Sequence, residues 1–142
     1  MTRIQVGQSF AVTVGRVIIG IVFFAHGWQK FFTNGIDNVE AGFKAMDVPA
    51  PLLSAWYAGI VELVGGGLLI VGLAVPLVSI LLIIDMVGAI VTAHLDAGTF
   101  FADGGGPELP LALIGGLLAV GFAHQGYLSV DGNVLAARNR KQ

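Results

Sequence analysis

The chain has 142 residues, of which 56% are hydrophobic and only 11% charged, and its mean hydropathy is +0.86. A soluble particle of this size must cover itself with polar side chains, and seven basic and nine acidic residues are too few. That excludes a soluble enzyme and a disordered chain, and a net charge of −2 leaves no basic footprint for nucleic acid. With no cysteine, the chain itself carries no disulfide, thiol nucleophile, iron–sulfur cluster or thiolate metal site.

The composition predicts an all-α integral membrane protein forming one membrane domain over residues 1–142. Crossing the hydrocarbon core takes about 20 helical residues. Residues 10–32 form the first such stretch; its length, together with Arg16, His26 and Lys30, sets it apart from a cleavable signal peptide. In residues 33–51, Asp37 and Glu40 have the spacing of a capping box, and Val39, Phe43 and Met46 recur at helical spacing before Pro49 and Pro51. A short amphipathic helix in the outer interface is expected there. Residues 52–73 form the second span and residues 76–95 the third. The tight turn between them makes the two antiparallel neighbours. The next connection holds Phe100 and Phe101, then a glycine turn that lacks the lysine and hydroxyl of a phosphate loop. Residues 110–128 form the fourth span. The architecture expected is thus an antiparallel bundle of four transmembrane helices, with a short external helix between helices 1 and 2.

Arg3 precedes the first span, and Arg138, Arg140 and Lys141 follow the fourth. The connection after span three has no lysine or arginine, and the one after span one has only Lys44 and, at its edge, Lys30. The positive-inside rule therefore puts both termini in the cytoplasm of a multi-pass plasma-membrane protein.

Ionisable groups at membrane depth are costly and normally pair inside the bundle. Arg16, Glu62 and Asp85 fall at comparable depths, so the arginine is expected to contact one or both acids. Such a cluster either fixes which helix faces point inward or forms a proton or ligand site. Arg16, Gly20, Phe23, Gly27 and Lys30 share one stripe of span one, with His26 on its flank and His94 level with them on span three. Lys30 either snorkels to the headgroups or serves a pocket. A ligand is expected between spans one and two in the outer half, with room left by Gly27, donors at His26 and Lys30, and the Phe43 segment as a lid. The candidate ligand-binding residues are His26, Lys30, Arg16, Glu62 and Asp85. The His26–His94 pair lacks any haem attachment motif, so no metal is expected, and His124 reads as an interfacial or capping histidine. Glycines three and four apart in spans two and four allow close helix packing.

Two motifs carry a family resemblance. Arg16-x3-Gly20-x2-Phe23 followed by His26-Gly27-x2-Lys30 resembles the first-helix signature of DoxX family membrane proteins. Glu62-x2-Gly65-Gly66-x2-Leu69-x2-Gly72 resembles their second-helix signature. The resemblance implies a small four-helix membrane protein working in redox at the membrane, with quinone or a redox partner. Similar proteins are subunits of a thiosulfate:quinone oxidoreductase, or belong to a complex with superoxide dismutase and a sulfurtransferase. Because the chain has no cysteine, any sulfur step falls to a partner, and an accessory subunit of a membrane redox or respiratory complex is expected rather than a complete enzyme. No intrinsic cofactor is expected beyond a bound quinone. The competing readings are a structural or assembly subunit that docks another membrane complex through its glycine-rich faces, and a small transporter.

Overall fold

A computed structural model describes residues 3–123 and 128–139. Among these the chain is all-helical, with no strand. Helix α1 (Arg3–Trp28) runs on without a break into a π-helical turn, Gln29–Thr33. Helix α2 (Ile36–Ala45) occupies the following connection. Helix α3 (Pro51–Val71) and helix α4 (Val75–Ala89) are joined by a tight turn, and α4 too ends in a π-helical turn, Ile90–His94. Helix α5 (Glu108–Gly121) and helix α6 (Val130–Asn139) follow.

Three helical segments are long and apolar enough to cross a membrane: Val6–Thr33, Pro51–Val71 and Val75–His94. The fourth apolar stretch departs from expectation. Its helix begins at Glu108 and stops at Gly121, 14 residues in all, instead of running over 110–128. Hydropathy adds up side chains without regard to backbone state, so it carried the expected helix past Gly121 into non-helical Phe122 and Ala123. His124, Arg140 and Lys141 lie outside the described residues.

The four long helices close into a ring in which α1 packs on α3 and α5, and α4 packs on α3 and α5. Phe23, Leu69, Val75, Val78, Leu82, Met86 and Leu117 fill its centre. Ile18, Ile21, Leu53, Ile60, Val64, Leu77, Ile84 and Leu118 point outward from all four helices. An apolar coat on every side suits hydrocarbon as the surrounding solvent.

Glycine sets the closest contact. A side chain at Gly27 would collide with the Leu63 backbone, and one at Gly66 with the Phe24 backbone. These positions draw α1 and α3 together backbone to backbone. Gly27 therefore does not leave room for a ligand, because α3 already occupies that room.

Local signals fare unevenly. Pro51 and Pro76 each sit in the first turn of their helix, where a missing N–H costs nothing. Gly72 ends α3 with φ +74, a left-handed cap that glycine adopts without strain. The capping box before α2 is not formed. Gly35 is the N-cap, no side chain caps it, and Asp37 lies inside the first turn. A carboxylate there still favours the positive end of the helix.

Candidate functional site

Arg16 is completely buried, but it does not meet the acids. Its guanidinium donates to the carbonyls of Leu69 and Ile70 at the C-terminal end of α3 and, at 2.8 Å, to the carbonyl of Leu128. The expected contact with Glu62 or Asp85 is thus replaced by backbone acceptors. The reason is position along α3: Arg16 faces its last turn, whereas Glu62 lies more than two turns earlier. Carbonyls in a last turn are short of helical donors, and although Leu69 also accepts from the Gly72 amide at 3.2 Å, a forked cation is well suited to them. A side chain at Gly72 would occupy the guanidinium's place.

Glu62 pairs with Lys30 instead. Glu62 is buried and Lys30 nearly so, and their ion pair bridges α3 and the π-helical turn that extends α1. Lys30 therefore points inward rather than snorkelling outward. Helical spacing points it there, three residues after Gly27 and seven after Phe23, both buried. Asp85, on α4, stands within electrostatic reach of both Glu62 and Lys30.

Two cavities adjoin this pair. The smaller, about 270 Å³, is walled by Phe23, His26, Met86, His94, Pro110 and Leu113. The larger, about 450 Å³, lies beneath α2 and is walled by Phe43, Met46, Tyr57, Ile84, Asp85 and Thr92. Lys30, Glu62, Met86, Ala89 and His94 line both, so the ion pair stands at the boundary between them. The expected ligand space between spans one and two is not where the open volume lies, because α1 and α3 are in direct contact. Both cavities open against α4 instead. Phe43, expected as a lid, lines one cavity while His26 lines the other, and Lys30 faces both.

The polar groups on these walls are anchored. The His26 ring bonds the Val22 carbonyl through Nδ1 at 2.9 Å, and the His94 ring bonds the Gly105 carbonyl through Nδ1 at 2.6 Å. The Tyr57 hydroxyl donates to the Leu81 carbonyl at 3.0 Å and Thr92 Oγ1 to the Gly88 carbonyl at 2.9 Å. No group of three or more metal-ligating side chains occurs among the described residues. Of the five residues expected from sequence, four gather here: His26, Lys30, Glu62 and Asp85 line one or both cavities. Arg16 stands apart at the other end of the bundle.

Sequence reasoning gave His94 only a marginal place, although it borders both cavities. Nor did it find Asp131, which accepts the amides of Ala74 and Val75, both at 2.9 Å, and so caps α4 from the first turn of α6. The signal for α6 was present in Ser129, whose Oγ accepts the Gly132 amide at 2.9 Å as an N-cap.

The ionisable residues of this site fall within the stretch 11–95, which matches the DoxX family pattern. The chain belongs to the DoxX family. Within that stretch lie Arg16, His26, Lys30, Glu62, Asp85 and His94, while α5 and α6 lie beyond it. The DoxX chain is 38% identical over 82 residues to the Bacillus subtilis protein named "Putative oxidoreductase CatD", a match covering 58% of each. It is 40% identical over 83 residues to an uncharacterized membrane protein of Mycobacterium tuberculosis, covering 58% of this chain and 50% of that protein. The matched part thus spans little more than half the length of these relatives. No solved structure matches the chain significantly.

Proposed function

We propose that this DoxX protein is a membrane subunit of a redox complex and holds a quinone-type ligand at the Lys30–Glu62 pair. The observation that carries the reading is an ion pair on the shared wall of two largely apolar cavities. Such a site offers hydrogen-bonding groups to a polar head and apolar walls to its body, the usual composition of small-molecule sites. A relative named as an oxidoreductase supports the redox part of the reading.

In this reading α5 is the fourth span and α2 lies in the outer interface of the plasma membrane. Both termini are then cytoplasmic, a placement that Arg3 and Arg138 favour. The chain works with protein partners, since it has no cysteine and no resident redox centre of its own is needed. The alternative, a docking subunit without a ligand, relied on glycine-rich helix faces as contact surfaces. Of those glycines, Gly59, Gly66, Gly116 and Gly121 are closed by contacts within the chain, while Gly115 stays open.

The test is purification in mild detergent, followed by mass spectrometry of extracted lipophiles and equilibrium quinone binding in lipid nanodiscs. Saturable binding that Glu62→Gln and Lys30→Met each weaken by about tenfold or more supports the proposal. A preparation that carries a stoichiometric membrane partner and shows no saturable quinone binding overturns it in favour of the docking role.

A further inference from the structure

The two histidine rings on the smaller cavity have their tautomers set by the backbone. A carbonyl oxygen only accepts, so the bonds to Val22 and Gly105 require the hydrogen on Nδ1 of both His26 and His94. In a neutral ring, Nε2 is then an acceptor without a hydrogen. Neither Nε2 has a hydrogen-bond partner among the described residues. Both rings line a wall shared with Lys30 and Glu62. Lys30 has hydrogens to spare beyond the one given to Glu62, because an ammonium carries three.

The cavity therefore presents acceptors at His26, His94 and Glu62 and a donor at Lys30. A quinone carbonyl accepts only. It can use Lys30 and leaves both histidine nitrogens without a partner. A hydroxyl does both, accepting from Lys30 while donating to an imidazole. We infer that the smaller cavity is built for the hydroxylated, reduced form of an aromatic lipophile, a phenol or diol, with His26 and His94 accepting hydrogen bonds from its hydroxyls. This rests on the proposed ligand reading and specifies which member of the oxidised and reduced pair the site prefers. Sites that hydrogen-bond a ligand hydroxyl reject analogues lacking it far more strongly than apolar sites do. Tighter binding of the reduced member also raises the reduction potential of the bound couple, by about 30 mV for each tenfold preference in a two-electron couple.

Three probes with the same alkyl chain separate the possibilities. An alkylresorcinol has two hydroxyls and does not oxidise to a quinone, its dimethyl ether keeps the shape without the donors, and an alkyl-1,4-benzoquinone has carbonyls alone. Binding is measured with the full chain in nanodiscs at about pH 8. The resorcinol is expected to bind about tenfold or more tightly than the ether and the quinone. His94→Phe and His26→Phe keep a ring on the cavity wall and should each shrink that preference. His26 is exposed, so its variant reports even where loss of the His94–Gly105 bond disturbs folding. Equal or tighter binding of the ether or the quinone overturns this inference and leaves the ligand reading intact. A preference for the resorcinol that both phenylalanine variants retain also overturns it. Binding of none of the three overturns both.

Discussion

Arg16 and Asp131 hold the two sides of one turn. The arginine donates to the last carbonyls of α3, and the aspartate accepts the first amides of α4. Between them they meet the unsatisfied groups that every helix leaves at its ends, here on both flanks of residues 72–74. The Asp131 amide also donates to the Gly72 carbonyl at 3.0 Å, and Arg16 reaches Leu128, so the chain before α6 is tied to the same turn.

Removing either member should loosen that end of the bundle. Asp131→Ala is expected to cost about 1–2 kcal/mol, as for loss of a helix cap. Arg16→Met should cost about 2 kcal/mol or more, since several buried carbonyls lose a charged donor. Arg16→Lys should not restore stability, because a single ammonium lacks the fork that reaches both α3 and Leu128. Thermal unfolding in detergent measures all three, and an unchanged midpoint for Asp131→Ala sinks the clamp.

The Lys30–Glu62 pair should show strong coupling. Glu62→Ala leaves a cation facing an apolar cavity, and Lys30→Met leaves a buried carboxylate; each single change is expected to destabilise by about 2 kcal/mol or more. Lys30→Met combined with Glu62→Ala should cost less than the sum of the two singles, with a coupling of about 1–3 kcal/mol. Additive effects in the cycle would remove the pair from the energetic account. The same cycle with Arg16 in place of Lys30 should be additive, because the arginine bonds elsewhere.

Glycine substitutions should sort by what their side chains meet. Gly27→Ala and Gly66→Ala place a methyl group against the backbone of the facing helix, and separation of α1 from α3 should cost about 2 kcal/mol or more. Gly115 has nothing within 4 Å of an added methyl, so Gly115→Ala is expected to be neutral or stabilising by up to about 1 kcal/mol. A Gly27→Ala variant as stable as Gly115→Ala contradicts the close α1–α3 crossing.

The proposed topology is open to single-cysteine labelling, which is clean here because the chain has no cysteine of its own. Asn38→Cys on α2 and Asp103→Cys before α5 should react with an impermeant maleimide in intact cells. Asn133→Cys on α6 should react only after permeabilisation. Labelling of Asn133→Cys in intact cells reverses the orientation.

How far the sequence reached depends on the kind of signal. Long apolar runs, the prolines at helix starts and the glycine turn after α3 are local, and each marked its element. His26, Lys30, Glu62 and Asp85 stood out because an ionisable group in an apolar run is expensive wherever the helix points. Their partners were harder to read. Depth counted along each span suggested Arg16 beside Glu62, but how far one helix is shifted along its neighbour is set by packing, and Arg16 meets the last turn of α3 instead. The same holds for Gly27, since a missing side chain leaves space for a ligand or for another helix alike.

By composition and its long unbroken apolar runs, this chain is committed to an apolar environment and to helices, because in lipid only helices and closed barrels satisfy the backbone, and barrel strands alternate. The same residues already set where the polar groups lie along each span. Only the tertiary structure decided that Arg16 closes the α3–α4 turn with Asp131, that Lys30 joins Glu62, and that the open space borders α4. Those outcomes depend on how helices are rotated and how closely they approach, and they are fixed by contacts between residues as far apart in the chain as Arg16 and Leu128, which no local pattern encodes.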